Sequence, residues 1–360
     1  FSIFSSIIAQ KKVDLNVDKT QFLIVENNPD KIVVSSTIKE IDFKIVKNQS
    51  DTYSSIHIPS FVTNHQKGRP DLPTLNKLID IPYGSSVQVN VISFVEEEII
   101  LSANQLNRIS PAQPSISKSV DVSKVPFYLN ENLYATDAFI EPSLAKVVPL
   151  GKMRGHQLGR LELCPFKYNP VTGVLKVYSE LTIEVVFNGA DHALTKQIHQ
   201  KNKSSHFNSS FGKLINSSQH QQKDMLTTYP IKYVIVADPS FQAALQPLVE
   251  WKTKKGFTVI EAYTNDPAVG NTTASIKSYL QGLYNAGTAT DPAPSYLLIV
   301  GDVAQVPSFS GTTGNHVSDL FYCEYDGGGD FYPELYYGRF SATNVAQVTN
   351  MVDKTLEYEK

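Results

Sequence analysis

Between Asn188 and Thr228 the chain loses its hydrophobic periodicity, and the patterns on either side of that break follow different rules. From about Gln21 to Phe187 the pattern is that of strands. Val87, Val89 and Val91 alternate with polar neighbours in Ser86–Val91, and Leu175, Val177, Leu181, Ile183 and Val185 fall on odd positions in Val174–Phe187. Period two marks a half-buried strand. Ile32–Val46 is a further β-branched run, and turn signals separate the runs at Gly68-Arg69-Pro70, Pro82-Tyr83-Gly84 and Asn169–Gly173. Many short strands with such punctuation predict an antiparallel β-sandwich.

After Tyr229 the pattern becomes α/β. Tyr233–Val236 is a short continuous apolar run, as in a strand covered on both faces. Asp238-Pro239-Ser240 offers a helix start, Phe241, Leu245, Leu248 and Trp251 recur at helical spacing, and Gly256 ends that helix. A strand over Phe257–Ile260, a helix over Thr272–Tyr284, a strand over Tyr296–Val300 and a helix over Asn344–Glu359 follow. Strands alternating with helices predict a mainly parallel sheet. A chain of 360 residues is long enough for two such domains.

The break itself (HALTKQIHQKNKSSHFNSSFGKLINSSQHQQKD) is rich in Ser, Asn, Gln, His and Lys. So few apolar residues do not offset the entropy of ordering them, which predicts a flexible, solvated linker over 189–228. Four of the eight histidines, His192, His199, His206 and His220, fall here without the tight spacing or the acidic or thiol partners of a metal site.

Net charge of −3 argues against a nucleic-acid partner, and no run of about 18 apolar residues predicts a membrane span. The two cysteines, Cys164 and Cys323, are too few for a disulfide framework or a structural zinc site. Phe1–Gln10 (FSIFSSIIAQ) reads as the tail of a signal peptide, which predicts export, or else as a buried first strand.

Two places carry candidate chemistry. Asp302 follows the apolar run ending at Val300, and function in an open α/β sheet gathers at the carboxyl ends of strands. A carboxylate there is a ligand or catalytic group, or it caps the next turn; residue type leaves both open. In the loop Glu324–Glu334, three glycines accompany Asp326, Asp330 and Glu334 at intervals of four. Hard oxygen ligands on a flexible loop suit Ca2+, although the spacing is not that of an EF-hand and a solvated acidic turn is the alternative. No P-loop, dinucleotide fingerprint, H-E-x-x-H or G-x-S-x-G occurs.

The phrases YLLIVGDVAQVP (Tyr296–Pro307), SDLFYCEYDGGGDFYPELYYGRFSA (Ser318–Ala342) and the closing TLEYEK resemble the gingipain family, in which V-G-D, S-D-x-x-Y, D-x-x-x-E and G-R-F recur in the first part of a caspase-like catalytic domain. KYVIVAD and WKTKKGFTV resemble the start of that domain, while GRPDLP, IPYGSSVQV and YNPVTGVLKVYSELTIEVVF resemble the family's pro-domain. The resemblance covers about 300 residues in order. It implies a signal-peptide remnant at 1–10, a β-rich pro-domain at 20–188, a linker with processing sites at Lys213 and Lys223, and the N-terminal half of the catalytic domain at 229–360.

The same resemblance implies structural Ca2+ sites, one with Asp302 and a second with Asp330, Glu334, the Tyr332 carbonyl and that of Gly327. It implies a secreted or cell-surface bacterial cysteine endopeptidase zymogen acting on protein or peptide substrates, with cleavage after Arg or Lys by analogy. The catalytic His and Cys are expected beyond Lys360, on a continuous segment or a second chain; His316 and Cys323 lack the catalytic setting, and the fragment is expected to be inert alone. Within Gly151–His156 a basic residue precedes glycine in an expected loop. Arg154 and Gly155 are thus candidates for an inhibitory loop lying in the enzyme's cleft, or else for an ordinary exposed turn. A catalytically inactive secreted binding or adhesion module, and a sortase-like surface-processing relative, are the alternative functions.

Overall fold

A computed structural model describes residues 10–48, 51–63, 66–118, 120–121, 124–140, 142–217, 229–312 and 316–360. Residues 1–9 of the signal-peptide remnant, and Lys223, lie outside the described residues. The chain forms two compact units, the first comprising 1–79, 85–148 and 159–190 and the second 80–84, 149–158 and 191–360.

The first unit is built from antiparallel sheets, as the period-two runs predict. Strands β1 (Gln10–Asp14), β2 (Gln21–Asn28), β3 (Lys31–Thr37), β4 (Glu40–Asn48), β5 (Asp51–His57), β6 (Phe61–Val62), β7 (Thr74–Ile81) and β8 (Ser86–Ile100) precede helix α1 (Glu131–Ala135). Strands β9 (Ala145–Met153), β10 (His156–Leu163), β11 (Phe166–Asn169) and β12 (Val174–Asn188) follow. One sheet runs β1-β4-β5, a second β6-β7-β10-β9, and a third β11-β12-β3-β2 with β8 also paired to β12. The β12–β8 ladder is antiparallel from Val174↔Ile100 to Asn188↔Ser86. The Asn169 side chain accepts from the Val171 and Thr172 amides and closes the β11–β12 turn. Ile41 and Phe43 of β4, Ile56 of β5, Ile99 of β8, Phe166 and Tyr168 of β11 and Leu175 and Val177 of β12 share one buried core, the sandwich interior.

The second unit holds helices α2 (His192–Lys201) and α3 (Asn208–Phe211), then β13 (Ile231–Ala237), α4 (Gln242–Lys254), β14 (Phe257–Tyr263), α5 (Thr273–Asn285) and β15 (Tyr296–Val300). A small hairpin of β16 (Phe309–Ser310) and β17 (Val317–Ser318), strand β18 (Tyr336–Phe340) and helix α6 (Val345–Glu359) complete it. The sheet order is β14-β13-β15-β18, every pair parallel. Alternate residues of the continuous apolar strands face different cores. Val234, Val236, Leu297 and Ile299 pack with Ile276 and Leu280 of α5. Ile235, Ala237, Leu298 and Val300 pack with Leu245 and Leu248 of α4 and Val348, Val352 and Leu356 of α6. This is why these strands carry no polar alternation.

The linker expectation for 189–228 needs correction over its described part. Asp191 caps α2 through the Leu194 amide at 2.8 Å, and Phe207, Phe211 and Leu214 are buried. Its apolar residues are few but each is anchored: Phe207 stacks on Tyr336 at 4.1 Å and Phe211 on His156 at 4.0 Å. Composition underestimates a segment whose burial depends on partners distant in sequence. Lys213 is exposed, four residues before the last described residue of this stretch.

Candidate functional site

Parallel strands give the second unit a carboxyl edge, where β15 and β18 end, and an amino edge, where they begin. Asp302 lies at the carboxyl edge. Its Oδ1 accepts from the Val303 amide at 2.8 Å and from Ser341 Oγ at 3.1 Å, and its carbonyl accepts from the Gln305 and Val306 amides. The turn-capping alternative therefore describes the observed contacts. Nearby, Arg339 donates from Nε and Nη2 to the two oxygens of Asp319, both at 2.7 Å, and from Nη1 to the Gly301 carbonyl at 2.8 Å and the Val306 carbonyl at 2.9 Å. Tyr322 donates to the Pro307 carbonyl at 2.6 Å. The phrases V-G-D, S-D-x-x-Y and G-R-F are thus one cluster in space, held by a planar guanidinium fork that lysine does not reproduce. Reading the motifs singly misses Asp319 and Arg339 as the pair that joins them.

The acidic loop lies at the amino edge, immediately before β18. Its tip, 326–329, is exposed, but its last carboxylate is not solvated: Glu334 is 1 % exposed. Glu334 Oε2 accepts from the Arg154 amide at 2.5 Å and from the Tyr284 hydroxyl, while Oε1 is buried without a partner. Burial, with the Asp326 carboxyl close by, pushes the Glu334 carboxyl up to about 8. Asp326 faces Lys152 Nζ at 3.3 Å. Asp330 accepts from the Lys152 amide at 2.7 Å and from the Tyr332 amide at 3.1 Å. Asp326, Asp330 and Glu334 therefore converge on the tip of the β9–β10 hairpin. Gly327 is on the exposed part of the loop, and Tyr332 is half-buried. Asp302, at the opposite edge, is not part of this cluster.

The hairpin tip is shaped for this contact. Arg154 and Gly155 both have positive φ, 52° and 77°, as a two-residue type I′ turn requires. A Cβ on Gly155 would lie 2.6 Å from Ile198 Cγ2, and one on Gly151 would lie 2.6 Å from Asp330 Oδ1. Arg154 does not sit in an ordinary exposed turn, which corrects that alternative for it. It is 1 % exposed, and its guanidinium donates to the carbonyls of Pro294, Glu334 (3.1 Å), Ala293 (3.2 Å) and Lys203 (3.4 Å), between the rings of Phe207 and Tyr284. The planar fork suits a ring of carbonyls here rather than a carboxylate-lined pocket. The carboxylate present, Glu334, takes the backbone amide instead.

Neither cysteine is placed as a nucleophile. Cys323 is fully buried among Val306, Tyr322 and Leu335, and Cys164 is buried in the sandwich core. Burial raises both thiols, that of Cys164 to about 12, so neither supplies thiolate near neutral pH.

Comparison with known proteins adds to this geometry. Residues 226–360 match the family model described as Peptidase family C25, and residues 18–212 match that for its propeptide, Propeptide_C25. Lys-gingipain of Porphyromonas gingivalis is 35% identical over 349 residues, covering 97% of this chain and 20% of that protein. Gingipain R2 of the same organism is 24% identical over 316 residues, covering 84% of this chain and 40% of its own length. A solved structure concerned with the zymogenic latency of gingipain K from Porphyromonas gingivalis aligns with a TM-score of 0.48 at 34% identity, covering 51% of this chain and 100% of that one. The chain thus spans about one fifth of the length of Lys-gingipain.

Proposed function

This chain belongs to peptidase family C25, and we propose that it supplies the propeptide and the leading part of the catalytic domain of a secreted cysteine endopeptidase precursor. The observation that carries the reading is the order of the two family matches, propeptide over 18–212 and peptidase over 226–360, along one chain. The geometry supports it. The carboxyl edge is braced by Arg339 and Asp319, as a scaffold for catalytic loops requires, whereas both thiols of the chain are buried. In this proposal a His and a Cys beyond Lys360 complete the site. The thiolate attacks the scissile carbonyl, the His carries the proton to the leaving amine, and water then hydrolyses the thioester. Substrates are proteins or peptides cut after a basic residue, lysine being favoured by the greater similarity to Lys-gingipain.

Latency in this reading depends on the hairpin tip staying attached. Arg154 in its carbonyl cage and Lys152 between Asp326 and Asp330 hold the propeptide segment on the peptidase sheet, and cleavage after exposed Lys213 is the first step of release. The acidic loop fits a structural Ca2+. Asp326, Asp330 and Glu334 are hard oxygen donors, and Glu334 Oε1 is buried without a hydrogen-bond partner from the protein. Among the described residues no helix is long and apolar enough to cross a membrane.

The test is to purify the native precursor, map the peptides that follow Lys360, and assay lysyl and arginyl p-nitroanilides before and after limited cleavage at Lys213. Thiol-dependent hydrolysis that appears on processing is expected. A processed protein with its downstream segment intact and no such activity would sink the peptidase reading and leave an inactive binding module.

A further inference from the structure

Asp80 at the end of β7, His156 at the start of β10 and His199 in α2 all belong to the second unit, and their side chains meet. His156 Nδ1 lies 2.7 Å and His199 Nε2 3.6 Å from the same oxygen, Asp80 Oδ2. One potential ligand atom from each residue falls within a mutual 4.8 Å. The two imidazoles stack at 3.8 Å, and Phe211 covers His156 from the protein side. We propose that these three residues bind a borderline divalent transition cation, with Zn2+ the best match to two imidazole nitrogens and one carboxylate.

An ordinary buried Asp–His pair explains only part of this arrangement. It needs one histidine, whereas here a second turns its nitrogen toward the same carboxylate without reaching hydrogen-bond distance. Both His199 Nε2 and Asp80 Oδ1 are buried without partners. Two orphaned polar atoms in one cluster are costly unless something occupies the space between them.

The surroundings match those of a metal ligand set. His199 hydrogen-bonds the Gly155 backbone, which fixes its ring as backbone carbonyls fix metal-bound imidazoles. Asp80 is pinned by Asn216, whose side chain accepts from the Asp80 amide and donates to its carbonyl, both at 2.8 Å. His199 is the most accessible of the three, its side chain 25% exposed. Ligand atoms around tetrahedral Zn2+ lie about 3.3 Å apart, so binding parts His156 Nδ1 and Asp80 Oδ2 from their 2.7 Å and draws His199 Nε2 in from 3.6 Å. The proton shared by His156 and Asp80 leaves to solvent as the cation enters. Ca2+ is a poor match, because it takes oxygen ligands. The bound ion would tie three propeptide segments together beside the Arg154-Gly155 turn.

The test uses the full-length precursor in saturating Ca2+, so that the acidic loop does not compete, with Zn2+ as the probe. Equilibrium dialysis and elemental analysis should find one Zn2+ per chain, and zinc absorption-edge spectroscopy should show two imidazoles in its shell. His156→Ala and His199→Ala should each weaken binding more than the 10–100-fold typical of outer-shell changes. His57→Ala, at an exposed position of the first unit, should not. The spectrum needs only the wild-type protein, so misfolding of a variant does not shield the proposal. No tight Zn2+, a shell with fewer than two imidazoles, or full binding by the H156A/H199A double variant would overturn it and leave a hydrogen-bonded polar cluster.

Discussion

Replacing Arg154 should unlock the hairpin tip. Its guanidinium meets four backbone carbonyls and two aromatic rings at 1 % exposure. Hydrogen bonds to a charged donor contribute about 1.5–3 kcal/mol each, but desolvating the cation costs several kcal/mol in return. Truncation to alanine loses the bonds, leaves the carbonyls of Ala293, Pro294, Glu334 and Lys203 unmatched and opens a cavity. The net loss for R154A should be about 3–5 kcal/mol, the range for breaking a buried ionic network. At roughly 2–4 °C per kcal/mol for a unit of this size, melting falls by roughly 6–20 °C. R154K should fall between, because an ammonium cannot span the carbonyls that a planar fork reaches. The single tryptophan, Trp251, lies in α4 of this unit with its Nε1 donating to Glu359 at 3.0 Å, so its fluorescence reports the transition. If R154A in urea stayed within about 1 kcal/mol of wild type, near the scatter of surface substitutions, the cage would not be holding the tip.

Glu334 makes stability depend on pH. Its folded carboxyl titrates near 8, above its ordinary 4.5, so in chelator the folded state binds the extra proton and stability falls as pH rises from about 4.5 through 8. E334Q should flatten that slope in thermal melts at a series of pH values; an unchanged slope would place its origin elsewhere. Gly155→Ala, with φ of 77° and a Cβ 2.6 Å from Ile198 Cγ2, should cost about 1–3 kcal/mol in the same urea assay, and a neutral result would mean the turn relaxes freely. Cys164 and Cys323, both buried with raised thiols, should resist iodoacetamide in the native protein and react on unfolding, as peptide mass mapping would show. Rapid native alkylation of either would contradict its burial.

How much was legible in the sequence follows from the range of the interactions. The strands of the sandwich and the α/β alternation are short-range patterns, and Val174–Phe187 or Tyr296–Val300 declare them without any partner being known. Asp302 is legible as a strand-end residue for the same reason. The polar stretch after Asn188 is not, since its order comes from Phe207 on Tyr336 and Phe211 on His156, pairings that composition does not encode. Nor is the fate of Arg154: a basic residue before glycine signals a turn, but what the turn enters depends on residues 293–294 and 334. His199 is not legible either from its neighbours in sequence. Its acidic partner, Asp80, is 119 positions away, joined to it through the fold alone.

The acidic loop and the hairpin tip are best understood as one electrostatic unit. Carboxylates as close as Asp326 and Glu334, with Glu334 buried, do not both ionise without a compensating positive charge or donor. In this structure compensation comes from Lys152 Nζ, the amides of Lys152 and Arg154, and the Tyr284 hydroxyl. All but the last are supplied by the propeptide hairpin. When the hairpin leaves, Glu334 Oε2 and Asp330 lose their amide donors and Asp326 loses its ammonium, while Tyr284 donates to a single oxygen. The remaining carboxylates must then bind protons, bind a divalent cation or move apart. The processed form should therefore depend on Ca2+ more steeply than the precursor, with a larger rise in melting temperature per tenfold increase in the ion. Equal Ca2+ dependence in the two forms would show that the hairpin and the cation do not act on the same charges.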